Sequence, residues 1–166
     1  AKELMASRQD VVLLGDGEYD NVSFLRYLSE ECGWDFVVRT AKNTLLHQDD
    51  NVQQIQHALP VTQGQTLSVC DAKVTAQAFG PLHAIAHWKP KEKQPWYLLS
   101  TLPDAHKSLN WYRKRFIIET FFSDQKSRGF GIDKSHLSCP ERLSRLLMLC
   151  CLGYLWMVYL GLQVVI

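Results

Sequence analysis

The stretch Val11-Val12-Leu13-Leu14-Gly15-Asp16-Gly17 decides the fold. A short unbroken apolar run closed at once by a Gly-Asp-Gly turn predicts a buried strand of the parallel type. Asp20 or Asn21 can cap the helix that follows, and Val22, Leu25 and Leu28 give that helix one apolar face. Gly33 is a suitable stop. Trp34–Arg39 (WDFVVR) then reads as a second strand. Strand, helix, strand is the unit that builds parallel sheets. Upstream, residues 1–10 read as a polar helix with Leu4 and Met5 on its apolar side.

Downstream the character changes. From Thr40 to about Pro103, Gln, Thr, Gly and Pro are frequent and no long helical pattern survives. Leu82, Ala84, Ala86 and Trp88 alternate with other residues, as in a strand, and Trp96–Thr101 (WYLLST) reads as another. The segment is expected to be a β-rich insertion of about five strands. From about Lys107 the chain turns helical, with one helix expected over Ser108–Arg128 and Gly129 as its stop. Ser138 and Glu141 have the spacing of a capping box for a last helix, which carries no charge from Leu146 to Ile166. The organisation is thus one α/β domain in three parts, 1–42, 43–103 and 104–166.

The 166 residues are 46% hydrophobic and 21% charged, which excludes a disordered chain, a collagen-like repeat and a disulfide-dense miniprotein. Eighteen Lys and Arg against seventeen Asp and Glu leave a net charge of +1, which argues neither for nor against nucleic acid. Cys32, Cys70, Cys139, Cys150 and Cys151 lack metal-like spacing and are expected to be reduced, mostly buried thiols of a cytoplasmic protein. The first residue is Ala1, so the chain is read as a processed product or a piece of a longer one, and no signal peptide is visible.

Two places carry chemistry. Asp16 stands at the carboxyl end of the first strand, where open α/β sheets bind ligands; it can equally be a turn aspartate between two glycines. In the helix near 108–128, Tyr112, Arg115, Glu119 and Lys126 fall within a wedge of roughly 60° on one face. Glu119 is flanked by Phe116, Ile117, Ile118, Phe121 and Phe122, and burying a carboxylate there requires a cation, either Arg115 or a metal. The alternative is a solvated face with an Arg115–Glu119 pair. Between Ala105 and Arg145 nine basic residues meet four acidic ones, a local excess compatible with phosphate binding and also common on ordinary surfaces. The six histidines show no ligand cluster.

The run Tyr112–Lys126 (YRKRFIIETFFSDQK) resembles the Tyr-x2-Arg-x3-Glu-x6-Lys signature of bacterial insertion-sequence DDE transposases. GDGEYD around Asp16, FVVR at Phe36–Arg39, WYLLST, KSRGFGIDKSHL and the apolar final helix resemble the same family, and only the 43–80 region is left out. The resemblance implies a ribonuclease-H-like mixed sheet with a β-rich insertion before the helix that carries the catalytic Glu. It implies Asp16 and Glu119 as catalytic metal ligands for Mg2+ or Mn2+, which would cut and join insertion-sequence ends by two-metal phosphoryl transfer. It further implies DNA contacts by Tyr112, Arg115, Lys126 and Arg39, and by Trp96 through base stacking, with a core aromatic as the other reading of Trp96. Transposon-end DNA and, in the full-length protein, a second copy are the implied partners, with no membrane.

In this family a first catalytic aspartate lies well upstream of Val11, where only ten residues remain. The chain is therefore expected to be the C-terminal part of a catalytic domain, with the N-terminal strands missing, and inactive or nearly so by itself. Two alternatives stand beside it: a non-catalytic DNA-binding remnant, and a membrane-associated protein that uses the uncharged 146–166 run.

Overall fold

The computed structural model describes residues 11–48 and 51–164. The helix expected over residues 1–10 lies outside them. The chain forms two compact units, Ala1–Arg115 and Phe116–Ile166.

In the first unit seven strands make one mixed sheet: β1 (Val12–Gly15), β2 (Asp35–Thr40), β3 (Leu45–Gln48), β4 (Asn51–Gln54), β5 (Thr66–Val74), β6 (Phe79–His87) and β7 (Trp96–Ser100). Their spatial order is β1-β2-β7-β6-β5-β3-β4. β1 and β2 are parallel, with Val12 opposite Asp35 and Gly15 opposite Val38. The remaining pairs are antiparallel. The β-rich stretch is therefore not a separate layer, because its five strands extend the sheet that β1 and β2 begin.

The connection between β1 and β2 is helical, as expected. Helix α1 (Val22–Arg26) runs on into a wider π turn, Tyr27–Glu31. Asn21 is its cap, accepting from Ser23 N–H at 2.9 Å, and Gly33 leaves it with φ +63°, a conformation that glycine adopts without strain. Val22, Leu25 and Leu28 are all buried. Each fully buried side chain of this size stabilises the fold by about 1.5–3 kcal/mol.

Strand residues alternate between two cores. Phe36, Val38, Ala84, Ala86, Tyr97 and Leu99 join Val22, Leu25 and Leu28 on one face. Val37, Ile85, Trp96 and Leu98 face the other way, against Leu109 and Tyr112 of helix α3 (Ala105–Lys114). A short helix α2 (Ile55–Ala58) follows β4.

The single helix expected over Ser108–Arg128 is corrected. α3 starts at Ala105, because Asp104 accepts from His106 N–H at 2.8 Å. Ser108 lies inside it, with its hydroxyl 2.9 Å from that of Ser100. At Arg115 the backbone bond shortens to Tyr112 C=O, 3.0 Å away, and α3 ends.

The second unit contains α4 (Phe116–Ser123), a π turn (Asp124–Arg128) and α5 (Pro140–Val164). The amides of Gly129 and Phe130 both donate to Asp124 C=O at 3.0 Å, which closes the turn. Phe121 meets Tyr154 edge to face at 5.1 Å, and Phe130 packs over Gly153. α5 begins at Pro140 rather than with Ser138 as its cap, since proline lacks the N–H that a first-turn residue leaves unpaired. The cysteines are free, but only Cys150 is buried; Cys70, on an exposed part of β5, and Cys139, just before α5, are exposed.

Candidate nucleic-acid interface

The site grows from the end of β1. A Cβ on Gly15 would stand 2.9 Å from Tyr19 Cβ and from Val38 Cγ1, so glycine alone lets the chain turn this close to β2. Asp16 comes next. Its Oδ1 accepts from Gly17 N–H at 2.8 Å and caps a 3-10 turn, Gly17–Tyr19. Its Oδ2 lies 3.7 Å from Arg115 Nη1. The Arg115 side chain is 15% exposed and that of Asp16 50%.

Behind this pair lies a column of rings. The Arg115 guanidinium carbon is 5.7 Å from the Tyr112 ring centroid. Tyr112 meets Trp96 edge to face at 5.4 Å, and Trp96 meets His87 at 6.0 Å with Lys89 Nζ 4.6 Å over its ring. Burial raises the pKa of the Tyr112 hydroxyl; Arg115 opposes this, Asp16 adds to it and Arg39 opposes it.

In front of the pair is an open cleft of about 780 Å³ at the carboxyl ends of the parallel strands β1 and β2. Asp16, Arg39, Lys42, His57, Trp88 and Lys93 line it, together with Tyr97. Asp16 is the one carboxylate among the described lining residues, against the cations Arg39, Lys42 and Lys93.

Two expected positions move. Tyr112 does not project to solvent: it is 1% exposed and belongs to the core between α3 and the sheet. Trp96 is buried too, with neighbours on several sides of its ring, so the packing favours the core reading. The aromatic that sequence reasoning missed is Trp88, half-buried in the cleft, with its Nε1–H donating to Glu92 C=O at 2.9 Å. Its only signal was its place at the end of the alternating run.

In the second unit Glu119 and Lys126 are both exposed, one on α4 and the other in the π turn. The apolar surroundings expected for Glu119 are not a buried pocket: Phe116, Ile117, Ile118 and Phe122 are exposed. The count of about 100° per residue does not run unbroken from Tyr112 to Lys126, because the helix ends at Lys114 and a later turn is of the π type.

The family model of the transposase DDE domain matches residues 1–156. The chain belongs to this family. Transposition of DNA is accordingly its functional class. No curated protein matches the chain. Among the described residues of this transposase domain, no three His, Cys, Asp or Glu side chains stand together as a metal site. Around Asp16 the neighbours are cations, the opposite of a divalent-metal donor set. As they stand, these surroundings do not fit Mg2+ or Mn2+.

Proposed function

We propose that this transposase domain binds the DNA backbone of a transposon end in the Asp16 cleft. The observation that carries the reading is one carboxylate set among three cations where two parallel strands end. Arg39, Lys42 and Lys93 would neutralise phosphates, and Trp88 offers a ring face to an unpaired base. Tyr112 and Trp96 would support Arg115 from behind rather than touch DNA. Lys126, exposed in the second unit, is a further phosphate contact. Asp16 and Glu119 are the acidic residues of strand transfer on this reading, in a ribonuclease-H-like fold. The family supports a cytoplasmic protein that works as a homodimer on paired ends.

The test is fluorescence anisotropy of a labelled duplex over a salt series. Arg39→Ala, Lys42→Ala and Lys93→Ala should each weaken binding and lower the log-log salt slope by about one. Unchanged slopes for all three would remove the cleft from the interface. In a complete enzyme Glu119→Gln should leave binding intact and abolish cleavage.

One observation favours a second reading, a membrane-associated chain. Over Pro140–Gln163 the mean hydropathy reaches 1.8 with 6% of that window buried, in a helix long and apolar enough to cross a bilayer. Co-flotation of the chain with liposomes in a density gradient supports that reading, and recovery in the protein fraction counts against it.

A further inference from the structure

The Asp16 carboxylate is held from two sides. Gly17 N–H fixes Oδ1 at 2.8 Å, and Arg115 Nη1 stands 3.7 Å from Oδ2. The second contact is an ion pair and not the short two-pronged bond that locks a guanidinium to a carboxylate. The carboxylate is half-exposed, so the pair is open to exchange with solutes that enter the cleft. Arg115 has reasons of its own to sit there. It lies over the Tyr112 ring, and it caps the carboxyl end of α3, where the helix dipole favours a cation. A cation entering the cleft also meets Arg39, Lys42 and Lys93.

We propose that Arg115 is the resident counter-ion of Asp16, a positioning residue that fills the place of a divalent cation and has to be displaced before the carboxylate can take one. The proposal rests on reading Asp16 as an acidic residue of transposition. It turns the misfit between the Asp16 surroundings and a metal into a property of the site. A phosphate arriving in the cleft would offer Arg115 another anion, so the same guanidinium can serve the carboxylate first and DNA afterwards.

The experiment is Mn2+ titration of the 166-residue chain, read by water-proton relaxation. Arg115→Gln should bind Mn2+ at least tenfold more tightly than the parent chain. Arg115→Lys keeps the charge and should stay near the parent. Adding Asp16→Asn to Arg115→Gln should abolish the gain. Near-UV circular dichroism from Trp96 and Tyr112 checks folding. If Arg115→Gln does not fold, Arg115→Met, which keeps most of the stem over Tyr112, takes its place. Mn2+ binding no tighter without Arg115 than with it, including none in either, overturns the proposal. If the parent's binding is nevertheless lost in Asp16→Asn, the reading of Asp16 stands and only the counter-ion role falls. A gain that survives Asp16→Asn shows instead that Asp16 is not the ligand, and both fall.

Discussion

The unit Ala1–Arg115 buries its apolar residues on both faces of a sheet, whereas Phe116–Ile166 leaves most of its own in the open. In the first, Phe36, Leu25 and Leu98 are fully buried. In the second, Ile117, Leu149, Leu155 and Trp156 are each more than 60% exposed, and Cys150 is the sole buried hydrophobic among the described residues. The difference lies in patterning. Apolar residues of the strands alternate between two cores, and each finds a helix on its side. Those of α5 run round the whole helix, which no single packing partner can cover.

The largest expected effect tests this contrast directly. Phe36→Ala should lower the stability of the sheet by about 3–5 kcal/mol, through lost transfer energy and the cavity left behind. Leu155→Ala removes a comparable apolar group from an exposed place and should stay within about 0.5 kcal/mol. Urea denaturation followed by near-UV circular dichroism measures both. Equal losses would mean that α5 is covered in solution.

The same contrast explains what could be read from the sequence. β1, α1 and β2 were legible because the signals there are local: an apolar run, a cap at Asn21 and a stop at Gly33. The number of strands in 43–103 was legible too, but not their place in the sheet. Pairing of β2 with β7 depends on contacts such as Phe36 N–H to Thr101 Oγ1, 65 positions apart, which no local pattern encodes. Asp16 was found because a strand end is a local feature. Tyr112 and Lys126 were put on one helix face because periodicity assumes an unbroken helix. The tightened bond at Arg115 and the π turn at Asp124–Arg128 violate that assumption without any proline or glycine to announce it. The cleft cations Lys42 and Lys93 lie on loops brought together by the sheet, so spacing could not join them.

A second pair of variants sharpens the comparison at the level of buried polar groups. In the first unit Ser100 and Ser108 satisfy each other at 2.9 Å, and Ser100 Oγ also accepts from Leu102 N–H at 3.0 Å. Ser100→Ala should destabilise the fold by about 1–3 kcal/mol, because buried donors lose their acceptor. In the second unit Gln125 is buried, and neither its Nε2 nor its Oε1 has a hydrogen-bond partner. Gln125→Met should therefore stabilise the chain by about 1–2 kcal/mol. A loss on Gln125→Met would show that the amide is bonded in solution and that the two units treat polar groups alike.

The smallest effect concerns protons, and it separates the units by where charge can appear. His87 is buried on β6, with Nδ1 2.7 Å from Thr66 Oγ1. Burial lowers its pKa, and the nearby charges of Arg113, Lys89 and His106 lower it further. The folded chain thus binds a proton at His87 less readily than the unfolded chain, whose imidazole titrates near the ordinary value of 6.5. Where the unfolded state holds more protons, stability rises with pH. The contribution of neutral His87 is complete above the unfolded pKa and is lost as pH falls through the lower folded value. The urea midpoint of the sheet should accordingly drop between about pH 7.5 and pH 5, and His87→Gln should flatten that part of the profile. α5 carries no acidic, basic or histidine side chain after Arg145, so its own helicity has no such source of pH dependence. An unaltered slope in His87→Gln would assign the acid sensitivity to other groups and leave the His87 imidazole free to charge within the fold.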